Sequence, residues 1–142
     1  MNKLNFILIL SLLFFCLAQV TEAKAIFKRR NMVISKRDDM PFSGRATHYS
    51  TGPGSCGEMS SDDEMVVAIN QEQMENGANP NTNPHCDKTI QISGDSGKVF
   101  HARIVDTCPQ CGEDSLDLSP TLFEKVCGSL DRGFCKINWG FE

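Results

Sequence analysis

Residues 104–112 read IVDTCPQCG, and residues 116–123 read LDLSPTLF. The apolar start of the first stretch is typical of a strand, and the two cysteines that follow it are separated by a proline and a glutamine. Ser119 is a favourable N-cap, and Pro120 suits the first position of a helix. Gly128 follows, and glycine is the residue type that commonly ends a helix. The pattern therefore predicts, in direct succession, a strand, a cysteine-containing loop and a short helix.

Strand-like segments occupy much of the chain on both sides of this stretch. They show apolar runs or a period of two, and they lie at residues 42–49, 65–69, 89–93, 98–105 and 135–141. A glycine-bounded turn at 94–97 joins two of them as a hairpin. A second short helix is expected at residues 71–75. The order of elements predicts a mainly-β domain, a small barrel or sandwich with one helix across an opening.

The N-terminus has the pattern of a secretory signal peptide. Lys3 precedes an apolar run at residues 4–18, and small residues follow at Ala23 and Ala25. The run is shorter than the roughly 20 residues that a membrane-spanning helix needs. We therefore expect cleavage after Ala23 or Ala25, an extracellular location and no membrane partner after processing. The signal peptide is assigned to residues 1–23.

The cysteines beyond this leader form an even set of six. They are Cys56, Cys86, Cys108, Cys111, Cys127 and Cys135. An even set in a short secreted chain indicates a disulfide framework, although six cysteines allow many pairings and the sequence does not decide among them. The pairing we expect is Cys56–Cys86, Cys108–Cys111 and Cys127–Cys135. Zinc is the alternative for the CxxC motif, but it needs a second ligand pair that the sequence lacks. We expect no metal, no cofactor and no free cysteine nucleophile.

A basic segment at residues 24–37 follows the leader. Its last pair, Lys36-Arg37, precedes an acidic chain, a pattern typical of precursors cleaved by a kexin-type protease. The residues after Arg37 include 7 basic and 17 acidic side chains, a net charge of −10. Such a domain repels phosphate backbones and acidic polysaccharides, so nucleic acid is not an expected partner. The predicted organisation is a signal peptide, a basic pro-segment at 24–37 and one domain at 38–142.

Several motifs, in order, resemble those of rare-lipoprotein-A-like double-psi β-barrels. They are GRATHY at 44–49, GPGSCG at 52–57, MVVAIN at 65–70, NPHCDKTI at 83–90 and the two stretches quoted first. Expansins, barwin-like plant defence proteins and inverting endoglucanases share this barrel, and small secreted fungal proteins of the group are similar in leader, dibasic site and size. The resemblance covers residues 42–141. It implies a six-stranded, disulfide-stapled double-psi β-barrel with one or two short helices, but a fold so widely shared does not fix a function.

The resemblance implies a candidate catalytic acid without its partner. Inverting glycosidases need an acid and a base with carboxyl groups about 6.5–9.5 Å apart. Asp117 matches the acid of the related endoglucanases, whereas Ser50 and Thr51 follow Tyr49 where those enzymes carry an aspartate base. Asp106 is a candidate substitute, and its alternative role is to accept backbone N–H groups. For Asp117 the alternative is capping of the following turn. We expect binding rather than catalysis.

The candidate ligand groove is lined by Tyr49, Asp106 and Asp117, with Tyr49 able to stack on a sugar. The leading hypothesis is a monomeric, non-hydrolytic protein that binds cell-wall polysaccharide, as the resemblance to expansins implies. The second is a protein-binding module, a protease inhibitor or effector that uses its loops. The third is a lytic glycan-cleaving enzyme that acts through Asp117. Trp139 is expected in the core, and the acidic run 62–64 in a solvated loop rather than a calcium site.

Overall fold

The computed structural model describes residues 22–29 and 40–142. Helix α1 spans residues 22–29 and is exposed along its whole length. Contacts divide the chain after Asp38, and the two parts are described separately. Almost all of the predicted signal peptide and part of the basic segment lie outside the described residues, so their processing stays a prediction. In the parts described, no helix is long and apolar enough to span a membrane.

Six strands form a closed barrel. They are β1 (Phe42–His48), β2 (Val66–Asn70), β3 (Thr89–Ser93), β4 (Val99–Cys108), β5 (Leu116–Leu118) and β6 (Cys135–Phe141). Their hydrogen-bonded order is β1-β5-β2-β4-β3-β6, closing back on β1. The pairs β1–β5 and β2–β4 are parallel, and the other neighbours are antiparallel. This fold is the predicted double-psi β-barrel.

Two helices accompany the strands, α2 (Gln71–Met74) and α3 (Pro120–Cys127). The Ser119 side chain caps α3 by accepting the N–H of Leu122, and Gly128 ends the helix with a φ of 96°. Both helices were predicted. The residue patterns missed β5, because three residues with an aspartate in the middle are too few to show a strand period.

The core fills the barrel and continues under α3. Its largest fully buried side chains include Trp139, Phe123 and Ile69. Strand residues that alternate with the outward-facing ones, such as Ala46 and Leu116, complete it. Trp139 is therefore a core residue, as predicted.

The three disulfides pair as expected: Cys56–Cys86, Cys108–Cys111 and Cys127–Cys135. The sulfurs of the CxxC motif are bonded to each other, so the structure gives no support to the zinc alternative for this pair. The first bridge joins the loop after β1 to the segment before β3. The third joins the end of α3 to the start of β6.

Candidate functional site

An outward-facing row of side chains crosses four neighbouring strands. Thr47 of β1 pairs in register with Asp117 of β5, and Asp117 pairs with Ala68 of β2. Ala68 in turn pairs with Asp106 of β4. Residues paired in register point to the same face of a sheet, and adjacent strands lie about 4.8 Å apart. The backbones of the two aspartates are therefore roughly 10 Å apart, with the small Ala68 between them. We call these four residues the aspartate row.

A β-bulge in β4 places Asp106 in this row. Val67 of β2 pairs with Ile104, as a regular register requires. The next residue, Ala68, pairs with Asp106, so Val105 is skipped. Ile104 and Val105 are both buried, and the extra residue turns the following side chain outward. Bulges commonly re-aim a side chain in this way beside functional sites.

Asp106 holds the loop that follows β1 against the bulge. Its Oδ1 accepts the backbone N–H of Ser55 at 2.7 Å and that of Thr107 at 2.8 Å. Gly54 makes this approach feasible, because a Cβ there would lie 2.3 Å from the carbonyl oxygen of Val105. These contacts match the alternative role of Asp106, that of an acceptor for backbone N–H groups.

Asp117 has fewer hydrogen-bond partners than Asp106 and is less exposed to solvent. It is 8% exposed, and its Oδ1 accepts the hydroxyl of Thr47 at 2.8 Å. Its Oδ2 lies 4.0 Å from Cys108 Sγ. Burial raises the pKa of Asp117, and the hydrogen bond from Thr47 and the charge of His48 oppose this effect. The cap of the following helix is Ser119 rather than Asp117. A buried carboxyl with a raised pKa beside a pocket is a functional-site candidate.

The two aspartates line separate pockets. The Asp117 pocket has a volume of about 200 Å³, and its other lining residues are Arg45, Thr47, Gln110, Cys111, Gly112 and Ser115. The Asp106 pocket has a volume of about 550 Å³, and its other lining residues are Ser55, Gln71, Glu75, Asn76, Gly77, Pro80, Thr107 and Pro109. The structure thus places the two candidate carboxylates on one row but in different cavities.

Tyr49 lies next to the row, immediately after β1. It is half-buried, and its backbone N–H donates to the carbonyl of Leu118 at 3.1 Å. Burial raises the pKa of its phenol well above the ordinary value, and the charges of Asp106, Asp117 and Asp62 raise it further. Tyr49 therefore lies within the field of both candidate carboxylates, although it lines neither pocket.

The chemistry of the Asp117 pocket is that of one carboxyl group, the guanidinium of Arg45 and several neutral polar groups. Of the described residues that line it, Asp117 alone carries a carboxylate. An inverting mechanism needs a second carboxyl facing the same bond. Arg45, Gln110 and Ser115 were not predicted as site residues. Arg45 had a signal, since it and Thr47 flank the core residue Ala46 on β1, whereas the others lie in loops whose shape the sequence does not show.

The acidic run 62–64 makes local hydrogen bonds in an exposed loop. Asp62 Oδ1 accepts the backbone N–H and the hydroxyl of Thr51, and the hydroxyl of Ser61 donates to Asp63 and Glu64. The carboxylates of this exposed loop thus accept hydrogen bonds from nearby protein groups. One group of ligand-type atoms, from Cys108, Cys111 and Asp117, has both sulfurs in a disulfide.

Opposite effects on stability are expected at the two aspartates. Asp106→Ala should lower the free energy of unfolding by about 2 kcal/mol, because two backbone N–H groups lose their acceptor. Asp117→Asn should raise it at neutral pH, because the amide oxygen can still accept from Thr47 while the buried charge is removed. The raised pKa means that the cost of the charge is absent below the unfolded-state pKa and complete above the folded-state pKa.

Urea unfolding at acidic and neutral pH measures both effects. The increase in the free energy of unfolding caused by Asp117→Asn should be present at neutral pH and vanish at acidic pH. A loss of stability in Asp117→Asn at neutral pH would show that the carboxylate stabilises the fold.

The closed strand order, the two parallel pairs and the disulfides define the class: the chain is an expansin-like double-psi β-barrel protein. No protein-family model matches it. It is 34% identical over 104 residues to the papain inhibitor of Streptomyces mobaraensis, and the match covers 70% of this chain and 71% of the inhibitor. The chain belongs to the family of that inhibitor.

A further curated relative and two solved structures are also similar to the chain. It is 36% identical over 87 residues to the allergen Asp f 7 homolog of Arthroderma benhamiae; the match covers 61% of the chain but spans only 29% of that relative. The solved structure of the Streptomyces papain inhibitor is 32% identical, with a TM-score of 0.63, and the match covers 72% of this chain and 98% of the inhibitor. A Clavibacter michiganensis expansin solved in complex with cellohexaose is 26% identical, with a TM-score of 0.60 and coverage of 71% and 50%.

Proposed function

We propose that the chain is a secreted, non-hydrolytic protein that binds cell-wall polysaccharide across the aspartate row. The observation that carries this proposal is the row itself. Thr47, Asp117 and Asp106 place polar side chains in register on three of its four strands. The small Ala68, which is 2% exposed, separates the two aspartates on the fourth strand. The Asp117 pocket at one end adds the guanidinium of Arg45 and the amide of Gln110.

The charge of the domain favours a neutral polysaccharide. The residues after Arg37 carry a net charge of −10, and an acidic polymer would meet both aspartates of the row. A neutral glycan offers hydroxyl groups that donate to the carboxylate of Asp117 and accept from Arg45. Such hydrogen bonds to charged groups are the stronger ones available to a sugar. The expansin relative solved with cellohexaose supports a neutral β-linked glucan as the first ligand to test.

Co-sedimentation with insoluble cellulose, chitin and peptidoglycan tests the proposal. The wild-type domain should be retained by at least one of the neutral polymers. Tyr49→Ala should weaken that retention roughly fivefold, because an aromatic contact contributes about 1 kcal/mol. Tyr49→Phe, which keeps the ring, is the matched control. Retention by none of the polymers would contradict the proposal, and sugar ends released by wild type but not by Asp117→Asn would instead indicate a lytic enzyme.

Inhibition of a papain-like protease is a second candidate function. It is favoured by the relationship to the papain inhibitor, whose solved structure the chain matches over 98% of its length. Loop side chains are available for a protein contact, since Met59 is 72% exposed and Phe134 is 48% exposed. Titration of papain with the folded domain measures this function. Inhibition should survive Asp117→Ala and weaken in Met59→Glu. The absence of inhibition at micromolar concentrations of the domain would exclude this second function.

A further inference from the structure

The Cys108–Cys111 disulfide forms part of the wall of the Asp117 pocket. Cys111 lines the pocket and is half-buried, whereas Cys108 lies beneath it and is 3% exposed. The carboxylate Oδ2 of Asp117 lies 4.0 Å from Cys108 Sγ. Cys111 therefore borders the cavity, and the sulfur of Cys108 is buried against a carboxyl group.

We propose that this disulfide is a thiol–disulfide exchange site for an external thiol. The external thiolate attacks Cys111 Sγ and forms a new S–S bond there. The Cys108–Cys111 bond breaks, and its electron pair leaves on Cys108 Sγ, which takes up one proton from solvent water and directs the resulting S–H toward Asp117 Oδ2. In the reverse step Asp117 accepts that proton, Cys108 attacks Cys111 Sγ, and the external thiolate is expelled.

The position of the bond in the chain separates it from the other two disulfides. It links cysteines only 3 residues apart, whereas Cys56–Cys86 spans 30 residues. Opening a short loop releases little chain, so the barrel can stay folded while this bond is open. The third bridge, Cys127–Cys135, has both sulfurs in residues that are 2% exposed and is shielded from a thiol in solution.

The surroundings of the pocket suit both steps. Arg45 supplies a positive charge in the pocket lining, which favours the approach of a thiolate. Other titratable groups that act on Asp117 are His48 on β1 and Asp106 on β4, and the charge of Asp117 acts in turn on Tyr49. Burial raises the pKa of Asp117, which brings its proton affinity closer to that of a thiol. Among these groups, Asp117 is the one whose carboxylate contacts Cys108 Sγ.

Exposure of the folded chain to glutathione, followed by alkylation and peptide mapping, tests the site. Glutathione should appear on Cys111 before any other cysteine, with Cys108 as the alkylated partner, while circular dichroism stays native. First modification at Cys56, Cys86 or the third bridge would overturn the proposal. So would a reaction that begins only when the fold is lost.

The role of Asp117 is tested by the rate at which the glutathione adduct closes again. Asp117→Asn should slow closure at least roughly tenfold at neutral pH, because Cys108 loses its proton acceptor. Its rate should then recover as pH rises and the thiol ionises without help. Asp131→Asn removes an equal charge from an exposed residue outside the Asp117 pocket and should leave the rate unchanged. Equal closure rates in wild type and Asp117→Asn would remove Asp117 from the proposed step, and equal slowing in Asp131→Asn would show that net charge alone controls the rate.

Discussion

Replacing Trp139 by alanine is expected to lower the free energy of unfolding by about 3–5 kcal/mol. The side chain is fully buried, and its ring packs against Phe42 and Phe141 with centroid distances of 4.6 and 5.4 Å. Its removal leaves a cavity that the neighbouring strands cannot close, since their hydrogen bonds hold them in place. The total free energy of unfolding of a domain of this size is about 5–15 kcal/mol, so the expected loss is a large share of it.

The same substitution should also disturb the site. Trp139 Nε1 donates to the carbonyl of Asp114 at 2.8 Å, and Asp114 precedes Ser115 in the wall of the Asp117 pocket. Gly44 also lies close to that carbonyl, since a Cβ there would be 2.1 Å from the oxygen. The tryptophan therefore fixes the segment that leads into β5.

Trp139→Phe separates the two contributions. It keeps most of the buried ring but loses the N–H donor, so its cost should be smaller, with about 1 kcal/mol from the hydrogen bond. Urea unfolding of both variants measures the difference. If alanine and phenylalanine cost the same, ring packing does not make the larger contribution at this position.

The barrel could be predicted because its signals are local. The alternation at 89–93 and 135–141 and the helix signals at Ser119 and Gly128 correspond to elements that the structure contains. The motifs at 44–57 and 104–123 then gave the topology by resemblance. The residue patterns did not predict strand β5, because its three residues form a strand by pairing with β1 and β2 rather than through a pattern of their own.

The site was less predictable because it depends on register. Simple alternation along β4 places Ile104 and Asp106 on the same face, which is the core face. The bulge at Val105 reverses this and turns Asp106 outward beside Ala68. Nothing in the sequence marks a bulge there. The two pockets are lined largely by loop residues, at 75–80 and 109–115, whose positions the sequence pattern does not give. The roles of Tyr49, Asp106 and Asp117 in binding stay predictions.

Removing the Cys56–Cys86 disulfide is expected to destabilise the domain far more than removing the bridge beside Asp117. Chain-entropy arguments give about 3.5 kcal/mol for the loop of 30 residues and about 1.5 kcal/mol for the span of 3. The Cys127–Cys135 bridge, with a span of 8, falls between them at about 2.5 kcal/mol.

Paired alanine variants compare the bridges on equal terms, because each removes two sulfurs. Guanidinium unfolding should rank the midpoints in the order of loop length, with Cys108→Ala/Cys111→Ala nearest to wild type. The bridge least needed for stability is then the one that a thiol can open in the folded protein, since global unfolding need not accompany it. A Cys108/Cys111 variant as unstable as the Cys56/Cys86 variant would break this ranking. It would show that the short bridge stabilises the native loop between β4 and β5 directly, beyond its effect on the unfolded chain.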